Sequence, residues 1–238
     1  MTCKVKLIRQ VKIANDTYAW HLTKPEGFVF RAGQFVELKL DKMTEVDDEG
    51  NSRAFSLACA PSDQELVVAT RYRQTAFKKA LLALQPGAEL ELDGPFGDYT
   101  LHHNIERQAV FIIGGIGVTP VISMIKQATK DNSNHTLLLI HSAKTKDDLP
   151  FYDELTDLAK ENKKFNYVPV LTAHDQQAGE GYEVGRVNEK IIKKYALNLN
   201  NSIFYLSGPE NMVKAMRQLL IDMKLDQDNI KTEEFPGY

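Results

Sequence analysis

The chain has 238 residues, 43% hydrophobic and 26% charged. That is ordinary globular usage and, at about 100–150 residues per domain, enough for one large domain or two medium ones. Cys3 and Cys59 are its 2 cysteines, too few for a four-cysteine iron–sulfur cluster or zinc site, so no metal is expected and a reducing compartment fits. Lys+Arg 29 against Asp+Glu 32 gives a net charge of −3, without the basic excess or stripe of a nucleic-acid binder. The opening MTCKVKLIRQVKI lacks a signal-peptide core. The longest apolar stretch, 110–125, is broken by Gly114, Gly115, Gly117 and Pro120 and falls short of the ~20 residues that span a membrane. A cytoplasmic protein with no nucleic-acid and no membrane partner is expected.

The first hundred residues read as β. Val5, Leu7, Arg9, Val11 and Ile13 share a face by period 2. The runs 18–23, 34–40, 53–59, 65–73 and 89–93 are rich in β-branched or aromatic residues and separated by Pro, Gly and Asp turn signals. A helix interrupts at 76–84, with Thr75 as its N-cap. Evenly spaced short strands predict an antiparallel barrel or sandwich. The rhythm then changes. An apolar strand at 109–113 meets a glycine turn at 114–118 and a helix at 119–129. Strand 136–141, helix 150–160 with Pro150 at its first position, strand 165–171, helix 188–195, strand 202–206 and helix 209–223 follow. This alternation predicts a doubly wound parallel sheet. The expected domains are 1–103 and 104–238, divided near 101–107.

Five segments carry chemistry. Gly114, Gly115, Ile116, Gly117, Val118, Thr119 and Pro120 join a buried strand to a helix start. Glycines let a ligand approach the backbone, and a helix N-terminus offers free N–H groups to a pyrophosphate. Pro120 stands where G-x-G-x-x-G would place its third glycine, and a bare strand–helix turn has the same pattern. Arg53, Ala54, Phe55 and Ser56 offer a phosphate fork, a flat ring and a hydroxyl, or an ordinary amphipathic strand. Thr70, Arg71, Arg73, Thr75 and Ala76 place arginines beside a capped helix start that could hold a diphosphate, or sit on a surface hairpin. Gly94-Pro95-Phe96-Gly97 reads as a tight exit turn, and Ser207, Gly208, Pro209 and Met212 as a second strand-to-helix turn, where open α/β sheets bind ligands. At the chain end Glu233 and Phe235 stand in a segment that either frays or continues a last strand from 229–231.

Taken in order, R-x-F-S, the capped helix, G-P-F-G, G-G-x-G-x-T-P, S-G-P-x-x-M and E-x-F resemble the ferredoxin–NADP⁺ reductase superfamily of flavoenzymes over about residues 5–238. The resemblance implies an N-terminal antiparallel β-barrel that binds FAD, then a Rossmann-like parallel α/β domain that binds NADH or NADPH. It implies Arg53 on the flavin pyrophosphate, Phe55 in place of the family's usual Tyr on the isoalloxazine, and Ser56 near flavin N5. Thr75 and Ala76 match the phosphate-contacting helix start. Gly115 to Pro120 match the turn under the dinucleotide, and Gly208, Pro209 and Met212 match C-G-P-x-x-M. Ser207 replaces that motif's cysteine, so Ser56 and Ser207 are the candidate catalytic side chains. The E-x-aromatic spacing of Glu233 and Phe235 implies a ring stacked on the flavin face where nicotinamide must lie, with Tyr238 as the alternative ring.

The implied activity is hydride transfer from NAD(P)H to FAD, then electrons to an acceptor such as ferredoxin or flavodoxin. A flavin reductase releasing free reduced flavin, and a non-catalytic flavin-binding electron-transfer or regulatory subunit, are the alternatives. His141-Ser142-Ala143-Lys144 and Leu171-Thr172-Ala173-His174-Asp175 stand where the family places its 2′-phosphate cations. Lys144 leaves NADPH possible, and Asp175 would repel a phosphate, so NADH is expected to serve at least as well. His21, His135, His141 and His174 are scattered and read as solvated or satisfied, and His102 and His103 as boundary residues.

Overall fold

A computed structural model describes residues 1–41, 43, 45, 47–48, 50–173 and 181–235, with the backbone alone for Glu234 and Phe235. Strands β1 (Thr2–Ala14), β2 (Thr17–Thr23), β3 (Phe35–Lys39), β4 (Ser52–Ser56) and β5 (Glu65–Arg71) precede helix α1 (Ala76–Ala83) and β6 (Glu89–Phe96). They form one antiparallel sheet in the order β4-β3-β6-β1-β2-β5. An antiparallel bridge from Leu57, just past β4, to Val68 of β5 curls its two edges together into a barrel. Inward residues alternate as period 2 demands: Val5 and Leu7, Trp20 and Leu22, Val36 and Leu38, Leu66 and Val68, Leu90 and Leu92 are all buried. Helix α1 plugs one end with Phe77 and Leu81, and the Trp20 indole N–H donates to the Leu81 carbonyl at 3.2 Å. Thr75 caps α1 as expected, its hydroxyl accepting from the Lys78 N–H. The Gly94-Pro95-Phe96 segment is no exit turn: β6 continues through Phe96, which pairs with Phe35, their rings 5.7 Å apart.

The second half runs β7 (Gln108–Gly114), a 3₁₀ turn (Gly115–Val118), α2 (Thr119–Lys130), β8 (Leu137–Ala143), α3 (Tyr152–Glu161), β9 (Phe165–Leu171), β10 (Glu183–Val184), α4 (Glu189–Tyr195), β11 (Ser202–Pro209), α5 (Glu210–Asp222) and β12 (Ile230–Phe235). Its sheet is wholly parallel, in the order β10-β9-β8-β7-β11-β12. The fold is thus an antiparallel barrel followed by a parallel α/β sheet with helices. No helix among the described residues is long and apolar enough to cross a membrane.

Three helix starts differ from expectation. Pro150 is not the first residue of α3, because the buried Phe151 takes a left-handed conformation ahead of it (φ 59°) and the helix begins at Tyr152. β11 runs on through Pro209, so α5 begins at Glu210. Helix α4 begins at Glu189, with Asn188 as its cap rather than its first residue; α2, by contrast, begins at Thr119 as expected, behind a 3₁₀ turn, and the Thr119 hydroxyl donates to the Ile116 carbonyl at 3.1 Å.

The two halves share one core. Alternate residues of β7, Ala109, Phe111 and Ile113, face α2 and the barrel, and join the barrel residues in a single buried cluster. Val110 and Ile112 face the opposite way, into a second cluster with Phe204, Leu206, Ile192 and Val213. Polar contacts from α2 reinforce the junction: the buried Ser123 hydroxyl donates to the Cys59 carbonyl at 2.5 Å, Lys126 reaches the Ala58 carbonyl at 3.4 Å, and Lys130 pairs with Asp63. Removing a buried donor leaves its acceptor desolvated at a cost of about 1–3 kcal/mol. Ser123→Ala is therefore expected to lower the melting temperature by about 2–12 °C, read by calorimetry. An unchanged melting temperature would show that the Ser123 hydroxyl adds nothing to the junction.

Candidate functional site

The chain order of the parallel sheet reverses between β7 and β11, so the carboxyl ends of these strands flank the switch point where open α/β sheets form crevices. Both strands end in glycine turns, and the turns touch. A methyl group on Gly117 would lie 2.6 Å from the Gly208 nitrogen, and one on Gly208 would lie 2.9 Å from the Gly114 carbonyl oxygen. Met212, in the first turn of α5, closes over Gly114, where a side chain would meet its sulfur at 2.5 Å. Gly115 differs: it has φ 50°, and the space where a side chain would stand is open. Its carbonyl accepts a hydrogen bond from the fully buried His141 Nε2 at 2.9 Å.

Beside the second turn, three polar groups are buried and unpartnered among the described residues: the Ser207 hydroxyl, the Tyr99 hydroxyl and Glu233 Oε2. Ser207 and Glu233 are register partners on β11 and β12. Burial and then the negative charge of Asp98 push the Glu233 carboxyl up to about 7. Burial and then Glu233 push Tyr99 well above its ordinary value. The last strand expected from 229–231 is present as β12. Phe235 ends it with only its backbone described, and Tyr238 lies outside the described residues.

On the barrel side, β5 lies against the Gly115–Val118 turn, and Ile116 joins the shared core. Ser56 is buried (5% exposed), and its hydroxyl has no hydrogen bond among the described residues. Ala54, its neighbour on the same strand face, is exposed. Arg53 and Phe55 share the other face, beneath α1. The Arg53 guanidinium stands 5.1 Å from the Phe77 ring centroid, and the Phe55 ring is 6.0 Å from the same ring. Phe55 is therefore not an open ring face but is 6% exposed. The Arg53 fork is already engaged: Nη1 donates to the Gly50 and Ser52 carbonyls at 3.0 and 2.7 Å, and Nη2 meets Asp47 Oδ1 at 2.8 Å. Thr70 and Arg71 close β5, where the Arg71 side chain is exposed and its carbonyl accepts from Lys78 at 3.0 Å. Thr75 and Ala76 begin α1 with the first N–H groups of a helix.

A cavity of about 410 Å³ opens beside the second turn, lined by Ser142, Thr172, Arg186, Val187, Asn211 and Met212 among others. Asn211 stands within the S-G-P-x-x-M segment, whereas Arg186 escaped the sequence reading; it follows the carboxyl end of β10 by two residues, a position that could have flagged it. His174 and Asp175 lie outside the described residues. A larger cleft of about 660 Å³ is lined by Lys12, Asn15, Lys146, Asp153 and Glu154 among others. It contains none of the expected site residues, so size alone does not mark the site.

The Glu233 shift has a thermodynamic sign. An unfolded carboxyl ionises near 4.5, whereas the folded one holds its proton to about 7. Its contribution is fully present below pH 4.5 and is lost as pH rises to about 7; at 1.36 kcal/mol per unit the loss is at most about 3 kcal/mol. Glu233→Gln is expected to flatten that decline, measured as urea midpoints between pH 5 and pH 8. Parallel profiles for both proteins would show Glu233 ionising normally.

Residues 111–218 match the family described as the oxidoreductase NAD-binding domain. The chain is 28% identical over 242 residues to the glycine betaine monooxygenase reductase subunit of Chromohalobacter salexigens, covering 96% of this chain and 63% of that protein. It is 24% identical over 248 residues to the flavohemoprotein of Oceanobacillus iheyensis, covering 97% of this chain and 58% of that one. The chain thus spans about three fifths of the length of these relatives. Its fold matches the ferredoxin NADP⁺ reductase of Neisseria gonorrhoeae, solved with bound FAD and NADP, with a TM-score of 0.82, 23% identity and 98% coverage of both chains. Barrel, parallel sheet and paired glycine turns agree with the fold of that reductase, and residues 111–218 carry the match to the oxidoreductase NAD-binding domain.

Proposed function

We propose that this chain is an FAD-dependent NAD(P)H oxidoreductase that passes electrons to an acceptor of the ferredoxin or flavodoxin kind. On this reading residues 1–103 hold the flavin and 104–238 hold the nucleotide. The observation that carries it is the meeting of two glycine turns at the switch point beside buried hydroxyl and carboxyl groups without partners. Bound flavin supplies a centre that takes up two electrons as a hydride and gives them up singly.

The residues present fit both groups. The first N–H groups after Gly114 and at the start of α1 suit phosphates. Ser56 and Ser207 offer hydroxyls with no hydrogen bond among the described residues, able to orient a ring edge and a carboxamide. Glu233, near half protonation at neutral pH, can donate to or accept from an amide. The cavity holding Ser142, Thr172 and Arg186 has the volume and lining for the adenosine end of a dinucleotide. Phe235 as a ring over the flavin is part of the proposal.

One observation favours a second reading. Asp47 already occupies the Arg53 guanidinium, so a diphosphate competes with an internal carboxylate for it. That weakens the hold on flavin and suits a reductase that releases reduced flavin.

An anaerobic titration tests the function. The purified full chain, supplied with FAD, is expected to show a band near ~450 nm that NADH or NADPH bleaches. A retained band that neither nucleotide bleaches would leave a flavin-binding subunit without turnover. Loss of the band on desalting, with continued reduction of added flavin, would favour the second reading. Arg53→Ala is expected to weaken FAD about 10–100-fold, the equivalent of about 1.5–3 kcal/mol for a charge-assisted contact, measured by flavin fluorescence quenching. Undiminished affinity would place the diphosphate away from Arg53.

A further inference from the structure

Gly115 opens the first turn, and its carbonyl is held from outside that turn. Strand β8 is a buried apolar run from Leu137 to Ile140, and the next residue, His141, is also fully buried at 0% exposed. An imidazole there is costly unless its nitrogens are used, and both are. Nε2 lies 2.9 Å from the Gly115 carbonyl oxygen, and Nδ1 lies 3.3 Å from the Tyr167 hydroxyl on β9. A carbonyl only accepts, so Nε2 carries the hydrogen and Nδ1 receives the Tyr167 O–H. Burial pushes the ring down to about 4, which keeps it neutral and in this tautomer at physiological pH.

The peptide geometry then fixes a direction. In a trans peptide the N–H points opposite to the C=O. With the Gly115 carbonyl turned onto β8, the Ile116 N–H is turned away from it. That N–H is among the first of the turn, which have no partner within the turn itself. The open space beside Gly115 leaves an approach to the backbone.

We infer that His141 is a positioning residue for the dinucleotide: its Nε2–H holds the Gly115 peptide so that the free N–H groups of the turn face the NAD(P)H phosphates, while the imidazole itself never touches the nucleotide. This rests on the reading of Gly115–Val118 as the dinucleotide turn.

The test compares wild type, His141→Gln and His141→Leu, each as the full chain loaded with FAD. Gln returns an N–H donor toward the Gly115 carbonyl; Leu fills space without one. The leucine variant is expected to raise KM for NADH and NADPH about tenfold with kcat within about twofold. Amide hydrogen exchange over 114–118 is expected to quicken in it. FAD affinity and exchange in β3 and β6 should stay unchanged, and Gln should recover most of both losses. If Leu does not fold, His141→Asn, whose amide is too short to reach, takes its place against Gln. Wild-type KM in a folded variant lacking the donor overturns the inference alone, whether or not exchange quickens. A wild-type chain that takes up FAD but neither binds nor oxidises NADH or NADPH overturns the reading of the turn, and this inference with it.

Discussion

At Gly117 and Gly208 two main chains pass so closely that a methyl group on Gly117 would stand 2.6 Å from the Gly208 nitrogen. Side chains normally keep adjacent strand–helix turns apart; here their absence lets the turns lock. The contact sets where β7 and β11 end relative to each other, with Ile113 opposite Ser207. It also sets the next strand along, since Ser207 is in register with Glu233. The first turn is held from below by β8 through His141 and from the side by β5 of the barrel. Both halves of the chain therefore converge on a few residues of backbone.

The electrostatics follow from that placement. Leaving a buried polar atom unpaired costs about 1–3 kcal/mol. Unpaired atoms of Ser207, Glu233 and Tyr99 lie beside the switch point. Glu233 and Tyr99 each shift the other way from what solvent would favour, because burial penalises their charged forms. Groups that a fold leaves unsatisfied at the open edge of a sheet are groups a ligand can satisfy. His141 is the opposite case, a buried ring with both nitrogens engaged, and its effect reaches the site through the main chain.

Much of this was legible in the sequence, and the exceptions have causes. The glycine turns could be read because glycine widens and proline narrows the backbone's local choices, whatever surrounds them. The change from period 2 to alternating strands and helices gave both layers. The start of α3 was misplaced because proline preference at a first helical position lost to the burial of Phe151. The Arg53–Asp47 pair had no signal, since nothing in an acidic loop says which carboxylate reaches back to the strand. His141 did leave a trace: a histidine directly after a buried apolar run needs partners for both nitrogens, and such partners must come from other elements.

The core that runs unbroken from barrel to sheet has a mechanical consequence. Residues such as Phe111, Met124 and Tyr205 of the second half pack in the same cluster as Leu57 and Val68 of the first. Swinging the halves apart would bring that surface into water at about 25 cal/mol per Å² of apolar area, and would break the Ser123 and Lys130 contacts with it. Any hinging of the two halves is therefore opposed by the whole shared core, not by a linker alone.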